Sequence, residues 1–392
     1  MVRAFTAFTA EVDDPDAAVR DLLTQLDFEG RLLGSTVGLL TCYADFVSGG
    51  VVAALCARLP FEVVGATTNA NAACGQLGEF ALTLMVLTSD DVLFTAALTQ
   101  ELSGPDTAAL RAAYGQAMAG KSEKPALLLS FAPFLVDLSV DFFARGMEEV
   151  SGGVPNFGMV AVDHTPDLSR VQVIFNGEAY ASRYAFLLLH GDIKPAFYLA
   201  SVRDEKIFPE KGVVTASKGN LLEAVDGIPV IDWLASMGIE RDGTGGIKGL
   251  NTFCFMMNYN DGTAPVVRAM LSITQVARGK TFAVCAGDVP EGVTLSLATI
   301  SPHEIVASTK AAFDQMLRQP EPDVAVAFSC RGRYFALDFD AAAEMEAMTD
   351  KLRGRAIPCF LAYSGGELCP VRGPGGGLAN RGHNETLAIC TF

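Results

Sequence analysis

The sequence predicts an α/β fold of repeated βαβαβ units, with mixed sheets extended by antiparallel strands and arranged as two related halves. Three observations carry this expectation. Apolar strand-like runs alternate with stretches of helical period in the same order near both ends of the chain. β-rich segments without helices follow each such unit. The chain has 392 residues, 50% hydrophobic and only 19% charged, more than a single core usually holds, which points to roughly two domains.

Arg3 to Ala10 alternates as a strand does, and Asp14-Pro15 opens a helix that runs to about Leu26. Gly38 to Tyr43 is a short apolar strand, Gly50 to Leu59 a helix and Phe61 to Thr67 a buried strand. The same order returns late in the chain. Val293 to Thr299 reads as a strand, Ser301-Pro302 starts a helix to about Leu317, and Val324 to Ser329 is a strand. Ala341 to Leu352 then gives a helix and Ile357 to Tyr363 a strand. A looser middle copy has strands near Phe80–Leu87, Leu127–Phe131 and Phe157–Val162. Repeated βαβ units imply right-handed crossovers and parallel pairing within each unit. Glu79 to Thr88, Arg170 to Leu189 and Leu387 to Phe392 supply the antiparallel additions. A junction is expected near the polar, turn-forming Phe208-Pro209-Glu210-Lys211-Gly212, dividing the chain into 1–208 and 209–392.

The net charge of −16 leaves no basic surface to neutralise phosphates, which argues against a nucleic-acid partner. The N-terminus has no charged segment leading into an apolar run, and no apolar stretch approaches the ~20 residues that span a bilayer. A cytoplasmic protein with no membrane partner is the expectation. The nine cysteines include no Cys-x-x-Cys pair, and most lie in apolar runs, so reduced core thiols are expected rather than disulfides or a metal site.

Several segments, in order, resemble the FIST family of sensory input proteins. Gly38-Leu39-Leu40 through Pro60-Phe61-Glu62-Val63-Val64-Gly65-Ala66-Thr67-Thr68 looks like its early strand, helix and strand end. Asn220-Leu221-Leu222-Glu223-Ala224-Val225-Asp226-Gly227-Ile228-Pro229 looks like the segment opening its C-terminal domain. Phe328 to Arg333, Tyr363 to Pro370 and the final His383-Asn384-Glu385-Thr386 look like its late strands and closing motif. The resemblance implies a FIST N-like part over 1–208 and a FIST C-like part over 209–392. It implies a binding protein rather than an enzyme, one that detects a small molecule such as an amino acid and signals through a separate partner such as a histidine kinase. It also carries an alternative: some members are haem proteins that sense nitric oxide, which would make His383 the candidate axial ligand.

Ligands in open α/β sheets favour the crevice beyond the carboxyl ends of strands. Those ends carry Thr67-Thr68-Asn69, Asp163-His164, Ser329-Cys330-Arg331 and Ser364-Gly365-Gly366-Glu367. Arg331 or Arg333 suits a ligand carboxylate, which a guanidinium grips with two parallel N–H bonds. Glu367 suits an ammonium, and Gly365-Gly366 allows close approach; the alternative is a plain turn with Glu367 paired to an arginine. His383, Asn384 and Thr386 form a second candidate group, set against a role in closing the Gly-rich turn. Thr67, Thr68, Asn69 and Asn71 line the matching position of the first half, or cap its strand and form an Asx turn. His164, His190 and His303 are set aside, as is cysteine chemistry at Cys330 and Cys369, which have no activating neighbour in sequence. Gly373 to Gly377 lacks the Gly-Lys-Ser/Thr ending and the following helix of a phosphate loop. Glu367 with His383 is the only acid–base pair the sequence offers an enzyme.

Overall fold

The structure, a computed structural model, describes residues 1–73, 75–242, 246–276 and 280–392. Its first unit runs β1 (Arg3–Thr9), α1 (Pro15–Leu26), β2 (Ser35–Cys42), α2 (Ala44–Ser48), α3 (Val51–Cys56), β3 (Glu62–Thr67), the pair β4 (Asn71–Ala73) and β5 (Gln76–Gly78), and β6 (Leu82–Ser89). The second repeats it with β7 (Leu93–Leu98), α4 (Ala108–Ala117), β8 (Leu127–Ala132), α5 (Val140–Ser151), β9 (Asn156–Val160), the pair β10 (Val173–Phe175) and β11 (Glu178–Tyr180), and β12 (Ala185–His190). A third unit opens with β13 (Ala196–Ala200) and is then interrupted by an insertion. The insertion holds β14 (Ile207–Lys218), β15 (Leu221–Val225), β16 (Ile228–Pro229), α6 (Val230–Ser236), β17 (Phe253–Asn258), β18 (Val266–Arg268), β19 (Met270–Val276), β20 (Lys280–Cys285) and β21 (Thr294–Thr299). The unit resumes with α7 (Pro302–Met316), β22 (Ala325–Cys330), α8 (Arg331–Ala336), α9 (Ala341–Leu352), β23 (Cys359–Ser364), the pair β24 (Glu367–Arg372) and β25 (Leu378–His383), and β26 (Leu387–Thr391).

Strand order reveals a threefold plan. The sheets read β1-β6-β2-β3-β10-β11, β7-β12-β8-β9-β24-β25 and β13-β26-β22-β23-β4-β5. In each, the two strands joined by a helical crossover are parallel: β2 with β3, β8 with β9, β22 with β23. Each unit lends its strand pair to a neighbour: the first to the third, the second to the first, the third to the second. The inserted residues build a separate eight-stranded sheet containing β14 to β21.

Burial follows from this plan. One face of each of the three sheets turns to a shared centre, where Phe328 meets Phe131, Phe157 and Phe360 at centroid distances of 6.1, 5.3 and 6.1 Å. The other face packs its own helices, with Leu22 and Leu55 on the first sheet, Phe143 and Met147 on the second and Phe313 and Met348 on the third. Strands covered on both sides need apolar residues at every position, which is why they read as continuous runs. The α1 start follows its sequence signal: Asp14 accepts the Ala17 amide at 2.9 Å and Pro15 occupies the first turn.

Several sequence expectations change. The loose middle copy is a full unit, but its expected first strand near Phe80–Leu87 falls in β6 of the first unit, and β7 opens the second. Val293–Thr299 looked like the first strand of the late unit because α7 follows it, but β21 belongs to the inserted sheet and β13 takes that place. Phe208 to Gly212 is not a turn but part of β14, whose pairing with β21 is irregular between Ile207 and Lys211. His383 ends β25, so His383-Asn384-Glu385-Thr386 forms the corner before the last strand. The eight described cysteines are all free, and no helix among the described residues is long and apolar enough to cross a membrane.

Candidate functional site

The carboxyl ends of β3, β9 and β23 are tied to one another. Val162 donates its amide to the Thr67 carbonyl at 3.1 Å, Gly365 donates to the Val160 carbonyl at 2.8 Å, and the Thr68 hydroxyl donates to the Tyr363 carbonyl at 2.7 Å. All three units therefore meet at their strand ends. Thr67, which accepts the Gln172 amide at 2.9 Å, and Thr68 are committed to this knot. Asn69, the next residue, is buried with neither amide atom partnered. Gly366 has φ +154, and a Cβ there would press on the Asn384 amide at 3.3 Å.

Beneath the knot lies a sealed group of charges. Arg333 is 1% exposed, bonds Glu344 at 2.7 Å and also donates to Thr309 and the Ile305 carbonyl, so it is committed to the fold rather than free for a ligand. Burial alone would raise the Glu344 carboxyl, but Arg333 and the hydroxyls of Ser329 and Thr309 hold it below its ordinary value. Glu367 and His383 are register partners across β24 and β25. Both are closed off, at 0% and 2% exposure. Ser364 donates to one Glu367 oxygen while the other has no partner, and burial holds this carboxyl far up. His383 Nε2 lies 3.0 Å from the Cys369 carbonyl, and burial brings the imidazole down to about 4. Thr386 donates to the Asn384 carbonyl at 2.7 Å, and Glu385 sits at φ +53 with its carboxyl pushed up to about 7 by burial.

An axial haem ligand needs a free imidazole nitrogen facing a flat slot. Here Nε2 is engaged by a carbonyl, and α5 packs so closely on β25 that a Cβ on neighbouring Gly382 would meet Val140 at 2.6 Å. His383 does not fit that role. No group of three or more His, Cys, Asp or Glu residues suited to a metal ion occurs among the described residues.

Arg331 alone of the two expected arginines reaches the surface. It starts α8 and is half-buried, donates one bond to the Thr165 carbonyl at 3.2 Å and leaves Nε without a partner. Burial lowers its affinity for its proton, against the nearby Asp163. Asp163 carries charge toward it, but its oxygens accept from the Thr165 amide and hydroxyl at 2.7 and 2.6 Å and from the Arg170 amide at 2.5 Å. Among the described residues, then, no carboxylate hydrogen-bonds Arg331.

Around Arg331 the contacts close into a ring. Its guanidinium lies 4.9 Å from the Phe335 centroid, and Phe335 neighbours Tyr334 at 6.0 Å. The Tyr334 hydroxyl donates to Glu79 at 3.1 Å. Phe80, the next residue, meets Tyr43 edge-on at 4.7 Å, and Tyr43 stacks on His164 at 4.1 Å, beside Thr165. Unit one supplies Tyr43, Glu79 and Phe80, unit two His164 and Thr165, and unit three Arg331, Tyr334 and Phe335. The Tyr334 phenol is pushed up to about 12, by burial first and then by Glu79.

Of the expected residues, only Arg331 joins this ring. Sequence reading set His164 aside and missed Tyr43, Glu79, Phe80 and Tyr334. Tyr43 directly follows β2, so the strand-end rule would have found it; Glu79 and Phe80 arrive through a pairing with a distant unit that leaves no local signal.

A family model described as the FIST N domain matches residues 36–228, and one described as the FIST C domain matches residues 238–370. No curated protein matches the chain. Among solved structures it is similar, at 12% identity, to a cyanuric acid hydrolase from A. caulinodans, with 100% of this chain and 99% of that one covered and a TM-score of 0.37. It is also similar to T. maritima PurL complexed with ATP, at 9% identity, 100% and 71% coverage and a TM-score of 0.21.

Proposed function

This chain belongs to the FIST family over most of its length, and from that premise we propose that it is a sensory protein whose surface ring binds a small zwitterionic metabolite, an amino acid or close relative. The observation that carries the reading is Arg331, a half-buried cation at the strand ends that hydrogen-bonds no carboxylate among the described residues. A ligand carboxylate satisfies it with two charge-assisted bonds. Glu79, fixed by the Tyr334 hydroxyl, supplies the opposite charge for an ammonium.

A separate protein, such as a histidine kinase, reads the outcome. A continuous set of contacts supports a route from the ring to the inserted sheet. Arg331 begins α8, and Gly332 packs so closely on Glu385 that a Cβ would meet its Oε1 at 2.9 Å. Cys330 donates its amide to the Thr386 carbonyl at 3.0 Å, and Asn384 accepts from Arg268 of β18 at 3.0 Å. A ligand moves this assembly only if it binds one arrangement more tightly than another.

Differential scanning fluorimetry against the amino acids at millimolar concentration tests the proposal. A binder should raise the melting temperature of the wild-type protein and leave Arg331→Gln unmoved. A flat panel, or an equal response from Arg331→Gln, would refute it.

A further inference from the structure

The ring has two aromatic walls with a charge at each junction. Phe80, Tyr43 and His164 form one wall, and Tyr334 and Phe335 the other. Arg331 joins them at one end through Thr165, and Glu79 at the other. The walls differ from core aromatics in one respect: Phe80 is 60% exposed, although its edge rests on the buried Tyr43. Phe339, also 60% exposed, extends the second wall by meeting Tyr334 and Phe335, each at 5.4 Å. Single exposed apolar side chains are ordinary, but aromatic faces flanking a guanidinium whose Nε has no partner form a specific surface.

Such a surface favours one ligand shape. An aliphatic amino acid would use the two charges and leave the exposed Phe80 and Phe339 uncovered. A flat ring gains offset or edge contacts with each wall, in addition to the apolar area it buries. The charges at opposite junctions then fix the direction in which the ring enters. We propose that the ligand of this site is an α-amino acid with an aromatic side chain, its carboxylate on Arg331, its ammonium toward Glu79 and its ring against Phe80. This rests on the reading of the ring as the ligand site and adds the chemical class.

Isothermal titration calorimetry with L-phenylalanine, L-alanine, phenylacetate and phenethylamine separates the two levels. L-Phenylalanine should bind at least ~10-fold more tightly than L-alanine, which corresponds to about 1.4 kcal/mol. It should also bind more tightly than phenylacetate or phenethylamine, each of which lacks one charged group. Phe80→Ser, a change at an exposed position, should bring the L-phenylalanine affinity toward that of L-alanine. Equal affinity for the two amino acids, or a Phe80→Ser protein that binds L-phenylalanine as before, overturns the aromatic assignment while the ligand site stands. Binding of none of the four compounds overturns both.

Discussion

Glu385 concentrates most of the residue-scale chemistry. It is a non-glycine residue at φ +53, buried, with one carboxylate oxygen unpartnered, and Gly332 lies against its side chain. Burial pushes its carboxyl from the ordinary 4.5 to about 7. Between those values the folded chain holds a proton that the unfolded chain has lost. Stability contributed by this group therefore falls as pH rises across the window and levels off above it. Glu385→Gln keeps the shape without the charge. Urea unfolding at pH 5 and pH 8 should show the wild type losing more stability between the two than the variant does, by at most about 3 kcal/mol. An identical pH dependence in both proteins would remove Glu385 as the cause. Arg333 and Arg331 make the companion point: two residues apart in sequence, one is sealed against Glu344 and the other is half-buried, held by the Thr165 carbonyl with its Nε unpartnered.

At the scale of elements, the parallel pairs decide how closely the strand ends can meet. Gly65 of β3 and Gly158 of β9 occupy corresponding places, opposite Leu40 and Ser130 of the strands beside them. A Cβ on either would overlap that neighbour's carbonyl oxygen. The requirement is steric closeness, since neither glycine has a left-handed φ. Gly65→Ala should cost about 3 kcal/mol, the upper end for overpacking a filled core, read as a lowered thermal midpoint. An unchanged midpoint would mean that β2 and β3 separate at little cost. The lent pairs β4–β5, β10–β11 and β24–β25 matter equally, because β4–β5 leads directly into Glu79 and Phe80 of the ring.

For the whole molecule, the question is how the inserted sheet is held. Arg268 of β18 is fully buried and pairs with Asp141 of α5 at 2.9 Å while also reaching Asn384. Asp141 in turn accepts from the Asp288 amide at 2.9 Å and the Tyr259 hydroxyl at 3.1 Å. One ion pair thus joins the insertion, the second unit and the corner before β26. Arg268→Met leaves a buried carboxylate uncompensated, which should destabilise by about 3–5 kcal/mol. Amide exchange should then quicken most in β17, β18 and β21. Uniform loosening of the whole chain would show that this contact does not act as the latch.

The sequence by itself determined the alternation of strands and helices, because a strand buried on both faces needs an apolar residue at each step and a helix leaves its period wherever it lies. It also determined the family, through ordered motifs, and the strand-end position of Arg331. Tertiary structure alone decided the threefold count, the interruption after β13 and the exchange of strand pairs, since a short lent pair carries no mark of the sheet it joins. It likewise decided which charges are usable. Glu367 and His383 are neighbours as register partners, yet both are covered, while Arg331 stays half-open between residues drawn from all three units. Exposure depends on what packs from distant parts of the chain, and no local pattern records it.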